Sequence, residues 1–173
     1  MKRLLFDTNI YGLIVEKREK DYFQKMLSKQ DIIICGCSII RKELRDTPKK
    51  EKTLTDIGIK NLRITLLDLY DAVTKSHDIM IDKKTKALAN KYLERFSELT
   101  RKTAIGHLTN DFMLVACATI NNLDLIVSED HKTLLSIEAI RTYNFVNGME
   151  GLKLPGVFTY EEFKTLIKRL FPL

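Results

Sequence analysis

Apolar and polar positions alternate along the chain in blocks that read as strands followed by helices. Arg3-Leu4-Leu5-Phe6 is a short apolar run closed by Asp7-Thr8-Asn9, a polar cluster able to cap the next helix, where Ile10, Leu13 and Ile14 recur at helical spacing. Tyr22, Phe23, Met26 and Leu27 predict a second helix over Lys20 to Lys29, and Asp31-Ile32-Ile33-Ile34-Cys35 predicts a β-branched strand buried on both faces. Ser38 is expected to cap a short amphipathic helix through Ile39, Ile40 and Leu44. That helix should stop before Pro48, because the residue ahead of a proline avoids the helical region.

From Lys49 to Asp78 the pattern reads as mostly helical, with Arg63-Ile64-Thr65-Leu66-Leu67 open between helix and strand. Ala87, Leu88, Tyr92 and Phe96 form one stripe of a long helix over Lys83 to Leu99, followed by a polar loop from Thr100 to Leu108. Thr109 is expected to cap a helix from Asn110 to Asn121 whose broad apolar surface marks it as central. Leu123 to Val127 reads as another buried strand and Arg141 to Val146 as a further one, with a turn at Asn147-Gly148. Pro155-Gly156 is a break, and Tyr160 to Leu170 a terminal helix. Strands alternating with helices predict an α/β fold, three-layer α/β/α with a mainly parallel central sheet, since each parallel return needs a crossover.

Length changes the picture little: 173 residues suit a single domain spanning 1–173. The apolar runs fall far short of the ~20 residues that cross a bilayer, and no export signal precedes the first strand, so a cytoplasmic protein away from membranes is expected. The three cysteines, Cys35, Cys37 and Cys117, sit in apolar runs and are odd in number, which suits buried thiols rather than a disulfide framework. His77, His107 and His131 lack zinc-ligand spacing. Twenty-nine Lys plus Arg against 23 Asp plus Glu leave a net charge of +6, an excess that favours a polyanionic partner.

Candidate chemistry comes from four acids. Ligands of open parallel sheets bind beyond the carboxyl ends of the strands. Asp7 directly follows one apolar run and Asp130 closely follows another, while Glu43 and Asp111 lie near the starts of helices entering from such loops. Mg²⁺ and Mn²⁺ select oxygen ligands, and a set of carboxylates can hold one or two such ions that activate water for phosphodiester cleavage. Thr8, Asn9 and Ser128 would be the donors that orient the carboxylates. Each acid also has a plainer reading: Asp7 as a helix cap, Asp111 as a first-turn charge, Asp130 as a turn residue, Glu43 as a surface partner of Arg41 or Lys42.

Together these segments resemble the PIN-domain family, metal-dependent ribonucleases that include the toxins of VapBC-type toxin-antitoxin pairs. The resemblance rests on Leu4-Leu5-Phe6-Asp7-Thr8-Asn9, on Glu43 within Ser38 to Leu44, on Asn110-Asp111-Phe112 through Ala118, and on Leu125-Ile126-Val127-Ser128-Glu129-Asp130. It implies Asp7, Glu43 and Asp111 as principal metal carboxylates and Asp130 as the fourth. Asp124 competes for the fourth place, but it would start its strand and lie at the wrong edge. The resemblance further implies Mg²⁺ or Mn²⁺, RNA as substrate and an antitoxin protein as partner. A homodimer is expected as well, because Tyr11, Leu13, Tyr22 and Phe23 exceed what a short helical layer needs.

Two other classes compete. One is a catalytically silent RNA-binding or protein-interaction module on the same fold. The other is a phosphatase of the haloacid dehalogenase type, whose motif requires a second Asp two residues after the first, where Asn9 stands.

Overall fold

A computed structural model of the chain describes residues 1–28, 32–55, 58–101 and 106–170. The chain divides into two compact units, Met1–Met80 and Ile81–Leu173.

In the first unit, β1 (Lys2–Phe6), β2 (Ile32–Cys37) and β5 (Asp78–Ile79) lie in the order β5-β2-β1, all parallel. β1 pairs with β2 from Lys2↔Ile32 to Leu5↔Cys35. Parallel neighbours require a crossover, and α1 (Thr8–Glu16) and α2 (Lys20–Ser28) supply it. The continuous apolar runs follow from burial: Leu4, Leu5, Phe6, Ile34 and Cys37 are all fully buried. Phe6 meets Phe23 edge-on at 5.8 Å and Tyr11 at 6.2 Å between ring centroids. Tyr11 and Phe23, part of the apolar surplus that suggested pairing between copies, are thus consumed inside this unit. Lys29 and Asp31, at the ends of the expected second helix and strand, lie outside the described residues.

Two expectations for this unit need correction, and one left open is decided. Ser38 does not cap its helix: α3 (Ser38–Asp46) has extended Cys37 as its N-cap, without a side-chain cap bond, and Ser38 is already helical. The stretch from Lys49 to Asp78 is less helical than expected, because β3 (Lys52–Thr55) and β4 (Gly58–Asn61) form an antiparallel hairpin. Its strands are too short to declare a period, and Leu54 and Ile59, 54% and 71% exposed, stand opposite each other across it. Arg63 to Leu67 is helix, inside α4 (Leu62–Thr74). Asn61 accepts from the Ile64 N–H at 3.3 Å, and Leu66, Leu69, Tyr70 and Val73 are buried at helical spacing.

The second unit holds α5 (Lys83–Thr100), α6 (Gly106–Ile120), β6 (Leu125–Val127), α7 (Ile137–Glu150), β7 (Gly156–Phe158) and α8 (Tyr160–Leu170). α6 begins at Gly106, so Thr109 lies within the helix and does not cap it, and Asp111 is not in the first turn. Residues 102–105 of the expected loop lie outside the described residues. The strand expected over Arg141 to Val146 is helix instead, and Asn147-Gly148 continues it. Ser136 caps α7 by accepting from the Ala139 N–H at 3.2 Å. Ala139, Thr142, Tyr143, Val146 and Asn147 then face inward with helical period, until Gly151 at φ 65 ends the element. Beyond the expected Pro155-Gly156 break runs a strand that the sequence reading lacks, β7, parallel to β6 from Leu125↔Gly156 to Val127↔Phe158.

Aromatic rings from three helices fill this unit's core. Phe112 of α6 lies 5.3 Å from Phe96 of α5 and 5.6 Å from Tyr143 of α7, and Tyr143 lies 5.1 Å from Tyr92. The Tyr92 hydroxyl donates to Asn147 Oδ1 at 2.6 Å, and burial pushes its pKa up to about 12, so it remains a donor. Cys35, Cys37 and Cys117 are buried and form no disulfide, and no helix among the described residues is long and apolar enough to cross a membrane.

α8 brings one pH prediction. Glu162 Oε2 accepts from the Thr159 N–H at 2.8 Å and the Thr159 hydroxyl at 2.9 Å, and these bonds hold its carboxyl below the usual range. A depressed folded-state pKa gives stability that is complete above the unfolded value of about 4.3 and fades as pH falls through the folded one. Thermal melts between pH 6 and 2 should therefore show a loss at the acid end that Glu162→Gln lacks. Parallel curves for the two proteins would rule this linkage out.

Candidate functional site

Asp7 leaves the carboxyl end of β1 and caps α1. In extended backbone, at φ −67 and ψ 158, it turns its carboxylate back onto the helix start: Oδ1 accepts from the Thr8 N–H at 2.7 Å and Oδ2 from the Asn9 amide at 2.7 Å. The cap reading and the site reading thus describe the same side chain. Asp7 is only 5% exposed, and neutral donors such as these do not cancel a carboxylate's charge.

Thr8 carries the connection onward. Its hydroxyl donates to Glu43 Oε2 at 2.5 Å, so two acids 36 positions apart in sequence are held at one place through one residue. Glu43 sits on α3, which leaves the carboxyl end of β2, the strand parallel to β1. Beside it Arg41 forms a two-point ion pair with Asp71 of α4, with Nη2 to Oδ2 at 3.3 Å, so one of the two basic partners proposed for Glu43 is engaged elsewhere. This unit therefore links Asp7, Thr8, Asn9 and Glu43 by hydrogen bonds.

The remaining residues lie in the second unit. Asp111 is half-buried on α6, next to fully buried Phe112. Ser128 is buried directly after β6, and its Oγ accepts from the Asp130 N–H at 3.0 Å. Asp130 Oδ1 accepts from the Lys132 and Thr133 N–H groups at 3.0 and 2.9 Å, and Oδ2 takes the Thr133 hydroxyl. A carboxylate offers roughly four acceptor positions, so these donors leave space for about one further bond. By geometry Asp130 is first a turn cap. Glu129 has a comparable task, accepting the Tyr160 N–H at 2.7 Å at the start of α8. Within either unit, no three His, Cys, Asp or Glu side chains among the described residues gather closely enough to hold an ion.

Sequence reasoning passes over Tyr70. Its ring lies 5.5 Å from that of Tyr11, and its one hydroxyl proton is shared between the Asp78 carboxylate and the Cys37 carbonyl, the latter at 3.3 Å. The only signal, its recurrence four residues after Leu66, is what any core residue of a helix would show.

Against solved structures the chain aligns over nearly its full length. It matches a chain of VapBC2 from Rickettsia felis, solved bound to a DNA fragment from their promoter, with a TM-score of 0.55 and 18% identity, over 91% of this chain and 98% of that one. The chain has the PIN-like α/β/α fold. The α/β class with a mainly parallel central sheet is the one expected from the alternation of strands and helices, and its PIN-like form the one expected from the resemblance. A chain from the structure of FitAB bound to an IR36 DNA fragment aligns with a TM-score of 0.51 and 14% identity, over 90% of this chain and 94% of that one. No protein-family model matches the sequence, and neither does any curated protein.

Proposed function

We propose that this PIN-like protein is a metal-dependent endoribonuclease that cleaves RNA phosphodiesters with a metal-activated water. The observation that carries the reading is the Thr8 bridge: Asp7, at the carboxyl end of β1, and Glu43, on the helix that follows the parallel strand β2, share one residue that orients both. Their chemistry fits Mg²⁺ or Mn²⁺, hard cations that take one or two carboxylates and complete their shell with water. Bound there, such an ion supplies Lewis-acid polarisation of a phosphoryl oxygen and a water acidic enough to attack at neutral pH. The chain's own part is to hold the two carboxylates close, with Thr8 and Asn9 fixing their lone pairs. Asp111, Asp130 and Ser128 enter the proposal through the sequence resemblance. The net charge of +6 suits a phosphate backbone as ligand. The aligned chains come from complexes named VapBC2 and FitAB, and we extend the proposal to a toxin held in check by an antitoxin protein.

One observation favours a second reading, a silent RNA-binding or interaction module: Asp130 spends most of its acceptor capacity on its own turn. Incubation of the protein with single-stranded and structured RNA in Mg²⁺, Mn²⁺ or EDTA separates the two. Cleavage that needs the ion and stops in EDTA is expected. RNA that is bound but never cut would select the silent module.

A further inference from the structure

We propose that Tyr70 is the positioning residue that sets the distance between Asp7 and Glu43, by holding the two helices that carry them. The proposal rests on the metal reading of that pair and adds to it a residue from a part of the chain the sequence motifs do not reach.

Four contacts converge on this side chain. On the α1 side the ring lies 5.5 Å from the ring of Tyr11, which is four residues and about one helical turn after Asp7. On the α3 side the Arg41 guanidinium lies over the same ring, 5.5 Å from its centroid, two residues before Glu43. At the junction of β2 and α3 the hydroxyl donates to the carbonyl of Cys37, the N-cap of a helix that has no side-chain cap bond of its own. Asp78 of β5 takes the same hydroxyl, and burial, followed by that bond, pushes its pKa well above the usual tyrosine value, so it stays a donor throughout the working pH range.

The backbone is shaped to admit this group. Gly36 of β2 lies directly beneath it, and a Cβ there would come within 2.6 Å of Tyr70 Cζ and closer still to the hydroxyl and to Asp78. Any side chain at that position would push the ring away from the α3 junction. A residue that only filled the core would not need this clearance, an ion-paired arginine on its face and a hydroxyl aimed at a helix cap. With all of them, a shift of Tyr70 moves α3, and Glu43 moves relative to Thr8 and Asp7.

The test uses Tyr70→Phe, which keeps the ring and removes the hydroxyl, with Tyr92→Phe as the control: it deletes an equally buried hydroxyl in the other unit. Calorimetric titration with MnCl₂ should show Mn²⁺ affinity lower by about 10-fold in Tyr70→Phe, the scale for groups that orient metal ligands, and unchanged in Tyr92→Phe although both melt earlier. In the metal-free protein, the Tm losses of Tyr70→Phe and Glu43→Gln should be non-additive, as for residues in one coupled network. Wild-type Mn²⁺ affinity in Tyr70→Phe together with additive Tm losses would overturn the proposal. If the wild type itself binds no Mn²⁺, the metal reading falls and the melts alone decide: non-additivity sustains the positioning role, and additivity removes it.

Discussion

Asp7→Asn is expected to leave the protein folded and to reduce RNA cleavage by at least ~10²-fold. Asn caps helices about as well as Asp, and its amide oxygen can still accept the Thr8 N–H that Asp7 Oδ1 takes at 2.7 Å. The new NH₂ faces the Asn9 amide, itself a donor, so one hydrogen bond is lost at a cost of about 1 kcal/mol. That is a small change in stability, whereas a divalent ion loses one of the carboxylates that define its site. Initial rates with Mg²⁺ or Mn²⁺, set beside circular dichroism melts, measure both sides. A well-folded Asp7→Asn protein that cuts RNA at the wild-type rate would remove Asp7 from the chemistry.

Phe112→Ala should be the most damaging single change to the fold. Phe112 is fully buried and touches the rings of Phe96, Tyr92 and Tyr143, so truncation removes the centre of a cluster drawn from α5, α6 and α7. Phe→Ala in such a core costs about 3 to 5 kcal/mol, from lost transfer energy and the cavity left behind. In a protein of this size that corresponds to a fall in Tm of roughly 10 °C. Urea titration would show it as a lower midpoint with an unchanged slope. A cost under about 1 kcal/mol would mean that the cluster collapses around the gap. Because Asp111 is its neighbour, activity data on this variant need the melt alongside.

Local signals made part of this legible from sequence. β1 and β2 are buried on both faces and so appear as unbroken apolar runs, and the Asp-Thr-Asn cap is complete within three residues. α7 misleads because Thr142, Tyr143, Phe145 and Val146 look like strand in a short window. The signals that decide for helix, the Ser136 cap and the Gly151 stop, lie outside that window. The hairpin offers four residues per strand, too few for alternation to stand out. At the site, each acid can be found from its own surroundings, but the Thr8–Glu43 bond cannot, since it depends on the register of β1 against β2. Tyr70 is less legible still, because a tyrosine in a helical stripe looks the same whether it fills space or steers a neighbour.

The hairpin also bears on how the protein behaves in a crowd. Leu54 and Ile59 form a greasy spot at the middle of a two-strand ribbon, and Lys49, Lys50, Lys52 and Lys60 are exposed around it. Such lysines act as gatekeepers, keeping one ribbon from docking edge-to-edge on another by mutual repulsion. Acetylating them would leave the aliphatic pair in place and silence the repulsion, turning a solubility device into an adhesive.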